Sequence, residues 1–225
     1  MATTPAPLVW INGFPGSGKL TVAKAIAALH EPATVLDNHR LIDPVEARYP
    51  RSHPEYQQQR HLYRQAMLVE HVCNTATLGR LVIATDFQSN NDLGRATATE
   101  YRDAARRAGR AFVPVYLTCD VDANLARVTD PSRGGGGGAS RVGNGKLTDA
   151  DLLRDLRARC ELFRFDDADC DCDCDCDCAR GLEVDATFAS PAETAGRILG
   201  FLKDGGGVSG GDGGDLVRCG RGRGA

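Results

Sequence analysis

Several features that would place the chain in a membrane, outside the cell or on nucleic acid are missing from the sequence. No apolar run approaches the length needed to span a bilayer. Residues 1–7 hold no basic stretch followed by apolar residues, so they do not form a secretory signal. The lysines and arginines form no dense cluster that would indicate nucleic acid as a partner. We therefore expect a cytoplasmic protein with neither a membrane nor a nucleic-acid partner.

Paired cysteine motifs are also missing, although the chain has nine cysteines. Five of them alternate with aspartates in the segment 169–178, and the other four are scattered. Alternating cysteines in so short a run make a poor disulfide scaffold, and no CxxC spacing or histidine accompanies them to form a metal site. We therefore interpret about 166–180 as a low-complexity insertion and favour this over specific metal binding.

What is present fits a single α/β domain. The 225 residues can build one sizeable core, since 42% are hydrophobic and 25% are charged. Five short apolar segments alternate with segments of helical periodicity. This pattern predicts right-handed βαβ crossovers and a parallel sheet with helices on both faces. We expect the domain to span residues 1–203, with a mobile Gly-rich segment at about 131–147 and a disordered Gly-rich tail at 204–225.

Hydrophobic periodicity predicts the positions of the elements. Strands are expected at 8–11, 34–36, 80–85, 112–117 and 182–184. Helices are expected at 18–30, 55–77, 91–108 and 122–128, from 148 onward and from 191 onward. On the long helix the apolar face is predicted at Leu62, Ala66, Val69 and Cys73. The prolines at 44, 50 and 54 predict loops and short turns between the second strand and that helix.

Two of the predicted helices begin with capping signals. Thr148 is followed three residues later by Asp151, as in a capping box. Ser190 stands before Pro191 and is followed by Glu193, which completes a second box. We expect both residues to be N-caps.

The strongest motif is the glycine-rich segment between the first strand and the first helix. Glycines let backbone N–H groups converge on phosphate oxygens, and the following helix adds its positive end. The usual motif has Ser or Thr directly after the lysine, whereas here Leu20 stands there and Thr21 follows. A Gly-rich turn without nucleotide is the alternative. The segment predicts a phosphate-binding loop, with Lys19 reaching the β and γ phosphates of ATP. The residues expected to bind ATP are Gly13, Pro15, Gly16, Ser17, Gly18, Lys19, Leu20 and Thr21.

The loop sequence GFPGSGKLT resembles the GxPGSGKGT loop of adenylate kinases and their relatives, where a threonine also comes second after the lysine. Weaker similarity extends over 8–203, in an Asp after the second strand, in LxCDxxxxxxR and in VDATxxSPAE. Small-molecule P-loop kinases, such as shikimate, gluconate and chloramphenicol phosphotransferases, share this plan. The chain is also similar to uncharacterised fungal and bacterial P-loop proteins. The resemblance implies a three-layer P-loop NTPase fold with a mobile lid, and ATP and Mg²⁺ as ligands.

Two carboxylates end predicted strands at the edge where ligands bind in such sheets. Asp37 ends the second strand, which we expect next to the first, and the resemblance implies that it accepts a proton from an attacking hydroxyl. His39 and Arg40 follow on the same segment and could touch substrate. The alternative for Asp37 is a simple turn bond.

Asp86 closes the apolar segment VIATD, which has the form of a Walker B strand. Its carboxylate would bind Mg²⁺ through water, together with the hydroxyl of Thr21. Gln88 follows on the same edge and could meet the acceptor. An aspartate that only starts a turn is the alternative.

The Gly-rich segment and its surroundings hold three arginines, Arg127, Arg133 and Arg141. The resemblance implies that such a lid closes over the phosphates and brings arginine to the transferring group. Solvated arginines on a loop are the alternative.

These motifs together favour an ATP-dependent phosphotransferase acting on a small-molecule acceptor. An ATP hydrolase and a nucleotide-binding protein without catalysis stay open as alternatives. The sequence has no NKxD segment, which argues against a guanine-nucleotide switch. Neither the acceptor nor the oligomeric state follows from the sequence.

Overall fold

The computed structural model describes residues 4–131, 147–165 and 181–204. Within these residues, five parallel strands form one sheet in the order β2-β3-β1-β4-β5. The strands are β1 (Leu8–Asn12), β2 (Ala33–Asp37), β3 (Leu81–Asp86), β4 (Phe112–Thr118) and β5 (Leu182–Asp185). The predicted α/β class with a five-stranded parallel sheet is confirmed.

Seven α-helices surround this sheet in the described residues. They are α1 (Lys19–Leu29), α2 (Asn38–Glu46), α3 (Tyr56–Leu68), α4 (Asp92–Arg107), α5 (Val121–Thr129), α6 (Ala150–Arg159) and α7 (Pro191–Lys203). Helices α1 and α7 pack on one face, and α2, α3 and α4 pack on the other. The three-layer arrangement is therefore confirmed. None of these helices has the length and apolarity needed to cross a membrane.

The central strand β1 feeds two separate hydrophobic cores. Its side chains alternate, so that Leu8 and Trp10 enter the core under α2, α3 and α4, while Val9 and Ile11 enter the core under α1 and α7. All four are fully buried. Each such side chain contributes about 1.5 to 3 kcal/mol relative to exposure. A continuous apolar run is the sequence that a strand buried on both faces requires.

The position of β2 differs from the prediction. The strand pairs only with β3 and forms the edge of the described sheet, and β3 lies between it and β1. The expectation that Asp37 lies next to the P-loop strand is therefore wrong. The register instead pairs Asp37 with Thr85 and pairs Asn12 with Asp86. Periodicity locates strands along the chain but does not state which ones become neighbours.

Residues 38–46 form helix α2, where loops and short turns were expected. The side chain of Asp37 caps this helix by accepting a hydrogen bond from the backbone N–H of His39 at 3.3 Å. Pro44 lies inside the helix but is exposed, and the helix ends two residues later. Pro44 has no N–H to donate to the carbonyl four residues earlier, so it weakens the last turn of α2, and the helix ends soon after it.

The long helix after residue 55 has a different buried face from the predicted one. Leu62 is 53% exposed and Val69 is 57% exposed, whereas Arg64 and Leu68 are buried. Helix α3 ends at Leu68. A π-helical turn, Val69–Cys73, and a short 3₁₀ turn, Thr75–Thr77, follow it. Both stripes have helical spacing. The buried stripe contains Arg64, and a charged residue is rarely expected in a core, so hydrophobic patterning favoured the exposed stripe.

The two predicted caps have different outcomes. Thr148 does not cap α6; the side chain of Asp149 does, by accepting hydrogen bonds from the N–H groups of Asp151 and Leu152. The box at Ser190 and Glu193 is confirmed, with both reciprocal hydrogen bonds present. The predicted lid except its ends, the insertion at 166–180 and the tail beyond residue 204 lie outside the described residues.

Candidate functional site

A cleft of about 970 Å³ opens at the carboxyl ends of the strands. Ligands bind at this edge in open parallel sheets. Most of the predicted site residues line the cleft: Pro15, Gly16, Ser17, Gly18, Lys19, Leu20, Thr21, Asp37, His39, Asp86, Gln88 and Arg127. Gly13 is buried beneath the loop, and Arg40 is exposed on α2 outside the cleft lining. Arg133 and Arg141 lie outside the described residues.

Three glycines give the P-loop its shape. Gly16 and Gly18 have φ values of 87° and 96°, in the left-handed region. A side chain at Gly13 would place its Cβ 2.6 Å from the carbonyl oxygen of Leu117. Gly18 is the N-cap of α1, so the free N–H groups of that helix face the loop. The ammonium of Lys19 donates to the carbonyls of Gly13 and Phe14 at 2.6 and 2.8 Å, which holds it at the loop.

Helices α5 and α6 support the P-loop from behind. The amide of Asn124 is fully buried and donates to the carbonyl of Pro15 at 2.8 Å. Arg157 donates to the side-chain oxygen of Asn124 at 2.9 Å and stacks its guanidinium over the ring of Phe14 at 4.9 Å. Neither residue was predicted, because nothing in the sequence links α5 and α6 to a loop more than a hundred residues away. Their hydrogen bonds and stacking hold the loop in place.

Asp86 is held by one of its two carboxylate oxygens. Its Oδ1 accepts hydrogen bonds from the backbone N–H of Phe87 and from the side-chain amide of Gln88, both at 2.8 Å. Its Oδ2 is buried and has no hydrogen-bond partner among the described residues. An orphaned carboxylate oxygen facing a cleft fits a hard cation such as Mg²⁺, which prefers oxygen ligands. Among the described residues, no group of three or more Asp, Glu, His or Cys side chains is arranged so that it could hold a metal ion. One carboxylate beside a phosphate site is still sufficient, because Mg²⁺ keeps waters and shares substrate phosphates.

Asn12, at the end of β1, positions this carboxylate and was not among the predicted site residues. Its fully buried amide donates to the carbonyls of Gln88 and Phe163 at 3.0 and 2.9 Å, and its oxygen accepts from the N–H of Gln88 at 2.8 Å. The residue fixes the segment that follows Asp86. A polar residue closing an otherwise apolar strand was the signal that could have identified it.

Asp37 caps helix α2 and also lines the cleft. Its Oδ1 accepts from the N–H of His39 at 3.3 Å and from the hydroxyl of Thr85 at 3.5 Å. The imidazole of His39 lies 3.8 Å from the carboxylate of Asp43. The cap and the cleft position are therefore compatible, because a carboxylate has acceptor capacity beyond one cap bond.

Arg127, on α5, also lines the cleft. Its Nη2 donates to the carbonyls of Ala186 and Thr187 at 2.7 and 2.8 Å. These bonds tie α5 to the segment between β5 and α7, so the guanidinium also has a structural task.

Helix α3 contributes a buried ion pair that the sequence pattern did not predict. Arg64 is 5% exposed and binds Glu100 of α4 with Nη2 and Nε at 2.6 and 2.9 Å. Gln65 and His61 also contact this carboxylate, at 2.8 and 3.0 Å. Burial alone would raise the pKa of Glu100, but the hydrogen bonds and charge of Arg64 outweigh it, and the pKa is lowered. Burial, reinforced by the charge of Asp86, raises the pKa of the neighbouring Tyr101 well above its ordinary value.

No protein-family model matches the sequence, and no curated protein sequence matches it. Solved structures do match. A sugar kinase from Janibacter sp. HTCC2649 is 20% identical with a TM-score of 0.55, covering 88% of this chain and 95% of its own. The APS kinase CysC of Mycobacterium tuberculosis, in complex with AMPPNP and APS, is 19% identical with a TM-score of 0.53, covering 89% and 99%. The tunicamycin resistance protein of Deinococcus radiodurans is 16% identical with a TM-score of 0.51, covering 88% and 95%. The chain has a P-loop kinase-like fold.

Within this P-loop kinase-like fold, the buried side-chain N and O atoms that make no hydrogen bond in the described residues concentrate at the cleft. Nine such side-chain atoms occur in the described residues, and five belong to residues that line it. They are Ser17 Oγ, Asn38 Oδ1, His39 Nδ1, Arg60 Nε and Asp86 Oδ2. Native proteins satisfy most buried polar groups, so this concentration marks a ligand site.

Proposed function

We propose that this protein is an ATP-dependent phosphotransferase that moves the γ-phosphoryl group of ATP to a small-molecule acceptor. The observation that carries the proposal is the continuity of the cleft. The P-loop, Asp86 and Asp37 all line it, and it extends beyond them to α2 and α3. Its volume of about 970 Å³ leaves space for a second ligand beside a nucleotide.

The nucleotide half of the reaction rests on the P-loop and the residues behind it. The N–H groups of the loop and of α1 bind the phosphate chain, and Lys19 places its charge on the β and γ phosphates. Thr21 and Asp86 would hold Mg²⁺, which supplies positive charge against the phosphate oxygens. Arg127, with Arg133 and Arg141 of the predicted lid, would stabilise the charge on the transferring group.

The acceptor half rests on the ends of β2 and β3. Asp37 accepts the proton of the attacking hydroxyl, and His39 and Gln88 border the acceptor. Arg40 is exposed outside the cleft lining, so its contact with the acceptor stays a prediction from the sequence. An acceptor bound beside Asp37 would be aligned with the γ-phosphoryl group, and alignment supplies much of the rate in phosphoryl transfer.

Thermal stability with and without Mg-ATP, and transfer of labelled phosphate to a broad acceptor panel, test the proposal. We expect Mg-ATP to raise the Tm of the wild type, and Lys19→Ala to remove most of this rise. Lys24→Ala changes another lysine of α1, which is exposed and outside the cleft, and is expected to keep it. Steady ATP turnover that no acceptor stimulates would favour the hydrolase alternative. The absence of any nucleotide effect on the Tm would rule out both activities.

A further inference from the structure

The acceptor side of the cleft is rich in guanidinium groups. Arg51, Arg60 and Arg64 all line it. Arg60 and Arg64 stand one turn apart on α3, so their side chains share a face of the helix. Helix α3 packs on α2 and α4, and its Leu68 shares a core with Leu36 of β2, the strand that ends at Asp37. The two arginines therefore belong to the part of the cleft beyond the P-loop.

Arg64 is a guanidinium held in a fixed orientation. Its Nε and Nη2 bind Glu100, and Nη2 also lies 3.5 Å from the hydroxyl of Thr97. Its Nη1 has no hydrogen-bond partner among the described residues. A buried guanidinium anchored along one edge presents its other donors without further ordering, which favours binding of an anion.

Arg60 lacks a carboxylate partner in the part of the chain that the structure describes. Its Nη1 donates to the hydroxyl of Tyr56 at 3.3 Å, and its guanidinium lies 5.9 Å from the centre of that ring. Its Nε is buried without a partner. A partly buried cation with unused donors is unfavourable unless an anion compensates it. Arg51 differs, because Glu46 pairs with it at 2.9 Å.

We propose that the phosphoryl acceptor carries an anionic group, a carboxylate or a phosphate, which Arg60 and the free Nη1 edge of Arg64 bind. This inference rests on the proposed function, since it concerns the acceptor of that reaction. The anionic group anchors the acceptor at α3 and leaves its hydroxyl group directed toward Asp37. Neutral polyols lack the group that these two arginines bind, so they are poor acceptors.

The test separates acceptor binding from nucleotide binding. Mg-AMPPNP is first added alone, and its effect on the Tm reports the nucleotide site. With Mg-AMPPNP saturating, the further rise of the Tm is measured with three matched probes: gluconate as carboxylate, glucose 6-phosphate as phosphate, and glucose as neutral compound. The same series is run on Arg60→Gln and Arg64→Lys, with Arg48→Gln as control. Arg48 is exposed and outside the cleft lining.

We expect at least one anionic probe to stabilise the wild type more than glucose does, and the stronger of the two identifies the anion class. Arg60→Gln should weaken the apparent affinity for that probe by about tenfold or more, as expected for loss of a charge-assisted hydrogen bond. Arg48→Gln should leave it unchanged. Arg64→Lys, which keeps the charge and loses the planar edge, should weaken the affinity for the anionic probe as well.

Equal stabilisation by anionic and neutral probes, or an anion effect that survives Arg60→Gln, overturns the inference. A missing response to Mg-AMPPNP alone contradicts the proposed function instead.

Discussion

The two carboxylates at the sheet edge are held in different ways, and this separates their proposed tasks. Asp86 is 1% exposed, uses one oxygen for two hydrogen bonds and keeps the other without a partner among the described residues. Asp37 is half-buried and caps α2. A buried, rigidly held oxygen suits a metal ion, whereas a carboxylate at a helix start that reaches the cleft suits proton transfer.

Asp37→Asn tests this division. Asparagine caps helices as well as aspartate does, so α2 should remain intact. The amide cannot accept a proton, so kcat should fall by about a hundredfold or more. Steady-state kinetics at saturating ATP and acceptor measure kcat, and the Tm of the ligand-free variant shows whether the fold is intact.

Asp122→Asn is the control for that substitution, because Asp122 is exposed on α5 and loses the same charge. It should leave kcat unchanged. If Asp37→Asn keeps full kcat, Asp37 is only a helix cap.

The side chain of Asn12 makes three hydrogen bonds, whereas the carboxylates of Asp86 and Asp37 each make two. Asn12→Ala leaves the N–H of Gln88 and the carbonyl of Phe163 without their partner in a buried region. We expect a loss of about 2 kcal/mol or more in the free energy of unfolding. Urea titration measures it, with Asn90→Ala as an exposed control that should stay within about 0.5 kcal/mol of the wild type. A loss no larger than that of the control would show that the three bonds add little.

At the scale of elements, α3 shows where hydrophobic patterning succeeds and where it fails. The pattern predicted a helix here, and the helix is present. It selected the stripe through Leu62 and Val69, although the buried stripe contains Arg64 and Leu68. The choice depends on Glu100, which lies on another helix, and a pairing between distant elements leaves no periodic signal in α3. The positions of Arg60 and Arg64 in the cleft lining were not predicted, for the same reason.

Two substitutions on α3 distinguish the stripes. Leu68 is fully buried, so Leu68→Ala should cost about 2 to 5 kcal/mol by loss of burial and creation of a cavity. Leu62→Gln should change stability by no more than about 0.5 kcal/mol, because that side chain is 53% exposed. Urea titration of both variants provides the comparison. A larger loss from Leu62→Gln would restore the predicted stripe.

At the scale of the whole molecule, the order of strands and helices along the chain was predictable and their spatial order was not. Continuous apolar runs such as Leu8–Asn12 identify strands buried on both faces, and the P-loop follows the first of them. The glycine motif could be located for a local reason, since its backbone requires glycine at Gly16 and Gly18. The insertion of β3 between β1 and β2 depends on packing of the complete sheet. The site is accordingly predictable where it is built by one segment and unpredictable where distant helices meet.

The pair between Arg64 and Glu100 joins α3 to α4 across one layer and should make the stability of the molecule depend on acid pH. The lowered pKa of Glu100 means that the unfolded chain binds the proton more readily than the folded one. The stabilisation is therefore complete above the unfolded pKa, near 4.5, and is lost as the pH falls through the lower folded value. Glu100→Gln removes this contribution while keeping the shape of the side chain.

We expect Glu100→Gln to be less stable than the wild type by about 2 kcal/mol at neutral pH, because Arg64 loses a charged partner. The difference should narrow as the pH falls below about 4, since the wild-type carboxyl is then protonated as well. Urea titrations of both proteins across this range measure the difference, in which the other acidic groups cancel.

Glu183→Gln is the matched control. The pKa of Glu183 is also lowered, first by its hydrogen bond with Arg164, but the side chain of Glu183 is 55% exposed and that of Arg164 is 42% exposed. An exposed pair contributes little, so its difference should be small at every pH. A Glu100→Gln difference that stays constant with pH would show that the pair acts through packing and hydrogen bonding rather than through the charge of Glu100.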